Sequence, residues 1–168
     1  MKNYLFLIFI LLILFSSCKK KLPKKIENLK FVRTWYDTVQ GMPYGAKLII
    51  KQNKTFEYSS HSCQSGSKSN GIWKIEKDTI FLNSIKPKNC LFQHPFGIIC
   101  NFDELDKNNK TIKNCEPSER EADYEIFKDE KFYIRNDTLI HVNKKDVTCT
   151  KVKIAFSKKE KIRKIHNK

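Results

Sequence analysis

The sequence predicts an all-β fold, an antiparallel meander of about eight strands that closes into a small barrel and carries a long cysteine-containing loop. Three observations predict it. Apolar residues alternate with polar ones, as in Ala46, Leu48 and Ile50 and again in Phe56 and Tyr58, which puts each set on one face of a strand. Residues 73–81 recur without gaps as residues 132–140, each reading aromatic, any residue, Ile, two turn residues, Asp-Thr and two apolar residues. Helical periodicity is nearly absent outside the basic tail, where Ile162 and Ile165 share a face. A meander of this kind removes its exposed edges by closing on itself.

At the start of the chain, Lys2 precedes an unbroken apolar run over residues 4–15, followed by Ser16, Ser17, Cys18 and three lysines. A charged start, a short apolar core and small residues form a secretory signal peptide. The run is too short to span a bilayer core comfortably, which takes roughly 20 apolar residues. Because the small residues end on a cysteine, the segment resembles the lipobox of bacterial lipoproteins, with Phe15 standing where an aliphatic residue is more usual. The resemblance implies cleavage after Ser17. Cys18 then becomes the first residue, its sulfur carrying a diacylglycerol and its amino group a further acyl chain such as palmitate. Several acyl chains anchor stably, since each buried methylene contributes roughly 0.8 kcal/mol.

The expected organisation is therefore a removed signal over 1–17, a basic tether over 18–30, a barrel over 31–156 with an irregular insertion at 85–123, and a basic tail over 157–168. After removal of the signal about 150 residues remain, enough for one domain with a real core. The first strand is expected over 31–37. A hairpin follows, turning at Gln52, Asn53 and Lys54, and a Ser- and Gly-rich loop occupies 66–71. The second hairpin turns at Glu76, Lys77 and Asp78, the third copies it with Arg135, Asn136 and Asp137 at the aligned positions, and a last strand covers 148–156. The repeated aspartate can cap turn amides and the threonine opens the next strand, so the repeat is structural. Trp35 and Trp73 are expected in the core or plugging a barrel end. Trp35 at the first strand, with Trp73, Ile75, Asp78 and Thr79 in a hairpin, resembles the small lipocalin-like lipoproteins of bacterial envelopes. The resemblance is carried by residues 31–83 and implies fold and location more than activity.

The insertion, with Pro87, Pro95, Gly97 and Pro117, is expected to hold at most one short strand near 96–102. Long irregular stretches in compact domains tend to be functional or disordered, so a ligand or partner site, if the domain has one, is expected here first. Cys63, Cys90, Cys100, Cys115 and Cys149 remain once Cys18 is assigned to lipid. Outside the cytosol they predict two disulfides and one free thiol. The pairing stays open, with Cys90 preferred to bond Cys100 or Cys115, and Cys63 one of the others. A zinc site is the alternative, because His61 is near Cys63 and His94 lies between Cys90 and Cys100; the compact Cys-x-x-Cys pairs of a structural site are missing. No metal and no cofactor are expected. His141 is read as a partly exposed strand residue and His166 as part of the tail.

The chain carries 33 Lys and Arg against 18 Asp and Glu, a net charge of +15, with basic clusters at both ends. Such ends suit an anionic membrane surface or serve as solvated tethers. An export signal and the lack of any RNA- or DNA-binding signature argue against nucleic acid as a partner. No Gly-x-Ser-x-Gly elbow, phosphate loop or His-Glu-x-x-His motif is present, and Asp103, Glu104 and Asp106 read as a surface acidic cluster, so an enzyme is not expected. The expected function is that of an envelope protein, membrane-anchored by lipid and facing the periplasm more than the cell surface, binding a small hydrophobic ligand or a protein. The alternative is an inhibitor or immunity-type lipoprotein that blocks an envelope enzyme.

Overall fold

The computed structural model describes residues 29–38, 45–62, 65–98, 109–118, 122–144 and 153–160. Among the described residues ten strands form one sheet: β1 (Arg33–Asp37), β2 (Gly45–Ile50), β3 (Thr55–His61), β4 (Gly66–Glu76), β5 (Thr79–Ser84), β6 (Gln93–Pro95), β7 (Asp123–Ile126), β8 (Glu130–Arg135), β9 (Thr138–His141) and β10 (Ala155–Ser157). Eight of them close an antiparallel barrel in the order β3-β2-β1-β10-β9-β8-β5-β4, sealed by the β3–β4 pair. Strands β6 and β7 continue the wall beyond β4 in parallel pairings. The predicted small lipocalin-like barrel is the observed fold.

Each barrel strand turns its apolar face inward, and the cross-strand register stacks these faces into layers. Trp35 faces Leu48, which faces Tyr58. Ile75 faces Ile80, which faces Phe132. With Phe31, Phe56, Trp73, Leu82, Leu139 and Phe156 they fill the barrel body. Trp35 is fully buried and its indole N–H donates to the Phe31 carbonyl at 2.9 Å, while the Trp73 indole donates to the Lys51 carbonyl at 2.9 Å. Both tryptophans thus have a polar partner inside an apolar setting, as buried indoles require. Phe31 itself lies in a turn ahead of β1 and is buried.

The turns β2–β3, β4–β5 and β8–β9 gather at one end, beside Phe31 and Trp73. The repeated hairpin aspartates act there, though not as turn caps. Asp78 accepts a hydrogen bond from Lys30 Nζ at 2.7 Å, and Asp137 accepts one from Lys158. The same position in the two hairpins therefore ties down the segment entering the barrel and the segment leaving it.

Four expectations need correction. Residues 66–71 are not a loop but the first half of the long strand β4, bonded throughout to β3. Glycine is needed at the end of this stretch: a Cβ on Gly71 would lie 2.0 Å from the Asn83 carbonyl oxygen and 2.7 Å from the Phe56 ring. The insertion's short strand, β6, precedes the expected 96–102, of which the end lies outside the described residues, and β7 begins only at the insertion's last residue, Asp123. Strand β7 was not expected at all. His141 is buried, only 6% exposed, because Glu130 supplies it with an ion pair inside the wall. Of the last strand, β10 is the described part.

Candidate functional site

At the end opposite Phe31, the side chains stop short of filling the barrel and leave a cavity of about 360 Å³. Its floor is apolar, formed by Ala46, Tyr58, Phe96 and Phe156. Phe96 stacks on Phe127 with ring centroids 4.0 Å apart and meets Tyr58 edge-on at 5.5 Å, which fixes the floor in place.

The polar wall comes from the sheet extension. In β7 the alternation of side chains puts Asp123 and Glu125 on the cavity side, while Tyr124 points away and its hydroxyl donates to the Asn70 carbonyl at 2.9 Å. Ser60 of β3 and Ser67 of β4 are cross-strand partners with hydroxyl oxygens 2.6 Å apart. Both hydroxyls donate to the same carboxylate oxygen of Glu125, Ser60 at 3.5 Å and Ser67 more closely. On β6, in register with Glu125, His94 holds Asp123 through Nε2 at 3.2 Å. Burial pushes the Glu125 carboxyl above its ordinary range, against the hydrogen bonds from Ser67, Ser60 and Tyr58 and the nearby charge of His94, which pull it down. No Lys or Arg among the described residues is ion-paired to it.

Behind Phe96 lies a second polar group. Glu130 is 1% exposed; it accepts from His141 Nε2 at 2.8 Å and from Lys144 Nζ at 2.6 Å. Burial acts to raise this carboxyl, but the two hydrogen bonds and charges outweigh it and hold it below the usual carboxylate range. The His141 ring meets Phe96 edge-on at 5.3 Å. This group braces the wall from outside the cavity.

The cysteine-rich insertion helps to build the site. Cys90 and Cys115 form a disulfide, one of the two pairings preferred for Cys90. It closes the segment leading into β6, where Leu91 and Thr111 are buried and the Leu91 amide donates to the Thr111 hydroxyl at 2.9 Å. His94, Pro95, Phe96 and Gly97 then enter the cavity lining. Of the other sequence candidates, Cys18, Cys63, Cys100, Cys149, His166, Asp103, Glu104 and Asp106 lie outside the described residues. His61 lines the rim, and no group of three or more metal-binding side chains occurs among the described residues.

Glu125, Asp123, Ser60 and Ser67 escaped the sequence reading. The signal that could have found them is the alternation Asp123-Tyr124-Glu125-Ile126, a strand pattern with its carboxyls on one face. Fold and site together define a closed small barrel with a polar-walled cavity at its open end. Compared with protein families, curated proteins and solved structures, the chain matches none.

Proposed function

We propose that the protein is a lipid-anchored binding module of the cell envelope, holding a small ligand in the cavity at the open end of its barrel. The observation that carries this reading is the divided interior. The barrel body is filled by its own side chains, whereas one end keeps about 360 Å³ between an apolar floor and a polar wall. Such a space falls within the about 300–1,000 Å³ usual for small-molecule sites, and the mixed lining is typical of them. It favours an amphipathic ligand over a purely hydrophobic one. The Ser60 and Ser67 hydroxyls are engaged with Glu125, which supports binding rather than nucleophilic chemistry.

Cys18 carries the lipid on this reading, and the tether enters the barrel at the filled end, where Lys30 pairs with Asp78. The mouth then opens away from the bilayer, and the ligand arrives from water. The blocking role of an inhibitor or immunity protein draws less support, because the Cys90–Cys115 segment folds on itself around the buried Leu91 and Thr111 and is tied to β7, whose Tyr124 amide donates to the Phe92 carbonyl at 2.7 Å.

Two measurements test this. Full-length protein extracted from its own membranes in mild detergent should release a small amphipathic compound, seen by mass spectrometry in near-stoichiometric amount. A retained protein, held only while the disulfide is oxidised, would overturn the reading in favour of the inhibitor. Separately, Cys18→Ser should leave the precursor uncut and unacylated; processing and fractionation identical to wild type would remove the anchor.

A further inference from the structure

We propose that the cavity accepts a small organic cation, an amine or guanidinium on a short apolar body, with the Glu125 carboxylate as its counter-charge. The inference rests on the cavity being the binding site proposed above and names the chemistry of its ligand. Three observations lead to it.

The first is where the charges sit. The chain as a whole carries +15, yet Asp37, Asp123 and Glu125 face this one space, and Lys153 is the single Lys or Arg in its described lining. The remaining positive surface acts weakly inside, because exposed charges are screened over about 10 Å at 0.1 M salt.

The second is the state of Glu125. Its oxygen is cradled by the Ser60 and Ser67 hydroxyls, so the group is positioned, but no described Lys or Arg neutralises it. His94 is bonded to Asp123. A half-buried carboxylate with hydrogen bonds and no described Lys or Arg paired to it is stabilised further by a cation that arrives with a ligand, and charge-assisted hydrogen bonds are about twice as strong as neutral ones.

The third is the floor. The faces and edges of Tyr58, Phe96 and Phe156 offer apolar contact to the body of such a ligand, and aromatic faces attract cations directly. An anionic ligand would meet the Glu125 carboxyl, and a neutral apolar one would cover it without supplying a counter-charge.

The test uses the folded, oxidised protein and three probes that share one body: phenethylamine, the neutral phenethyl alcohol and the anionic 3-phenylpropionate. Calorimetry should show phenethylamine binding at least about tenfold tighter than the alcohol, the margin a charge-assisted contact gives. Its amide shifts should centre on Tyr58, Ser67 and Phe96. Glu125→Gln, folded by circular dichroism, should lose that preference. Equal or tighter binding of the alcohol or the anion in the cavity would overturn the cation while leaving the binding module standing. Binding of none of the three would also overturn the cation, and the compound extracted from the native protein then decides the module separately.

Discussion

Glu125 and Glu130 lie close together in the chain, both leave water on folding, and they shift in opposite directions. The difference is the partner: hydroxyls surround Glu125, whereas His141 and Lys144 bring positive charge to Glu130. For Glu125 the folded value is above the unfolded one, so its favourable contribution is complete in acid and is lost as pH rises through the folded value. Glu125→Gln should therefore raise the melting temperature at pH 7 and change it little at pH 4. An equal effect at both pH values would exclude burial as the cause. For Glu130 the folded value is below the unfolded one. Its contribution is present above the ordinary carboxylate range and disappears as pH falls through the folded value. Glu130→Ala removes one member of a buried pair and should cost about 3 kcal/mol in urea unfolding at pH 7, with a smaller loss below pH 4.

Two elements control the cavity wall. Strand β4 bonds β3 along one edge and both β5 and β7 along the other, which it can do only because it is long. At the junction Gly71 admits the Asn83 carbonyl and the Phe56 ring, so Gly71→Ala should destabilise the protein by about 1–3 kcal/mol. A chemical denaturation curve unchanged by that substitution would contradict the close approach. Strand β6 is short and hangs on β7, with the Cys90–Cys115 bridge just before it. Reducing the bridge, or Cys90→Ser with Cys115→Ser, should lower stability by about 2–4 kcal/mol. Amide exchange should quicken first at residues 91–96, because the barrel strands keep their own ladders.

At the scale of the whole molecule, the barrel has one tied end and one open end. The tied end collects three hairpin turns, Phe31, and the ion pairs Lys30–Asp78 and Lys158–Asp137. These pairs are exposed and contribute little to global stability. Replacing both aspartates by Asn should leave the unfolding midpoint in place while speeding hydrogen exchange at residues 30–33. A large fall in the midpoint would mean that the ends carry the fold.

Local pattern made much of this legible. The alternation of Leu48, Ile50, Phe56 and Tyr58 identified strands and an inner face, and the Trp73 and Phe132 hairpins repeated one turn chemistry that short-range physics enforces. Composition misled at 66–71, because glycine and serine mark a loop only when no neighbouring strand offers hydrogen bonds, and β3 does. His141 was misread for a similar reason, since its partner Glu130 is adjacent only after β8 and β9 pair. By itself the sequence determined the all-β class, the core face of each hairpin and the candidacy of Cys90 and Cys115 for a bridge. Only the tertiary structure decided that β7 would carry Glu125 to Ser60 and Ser67, and that the barrel would fill at one end and stay open at the other. Those contacts join residues far apart in the chain, and closure of the sheet, not any local preference, sets which of them meet.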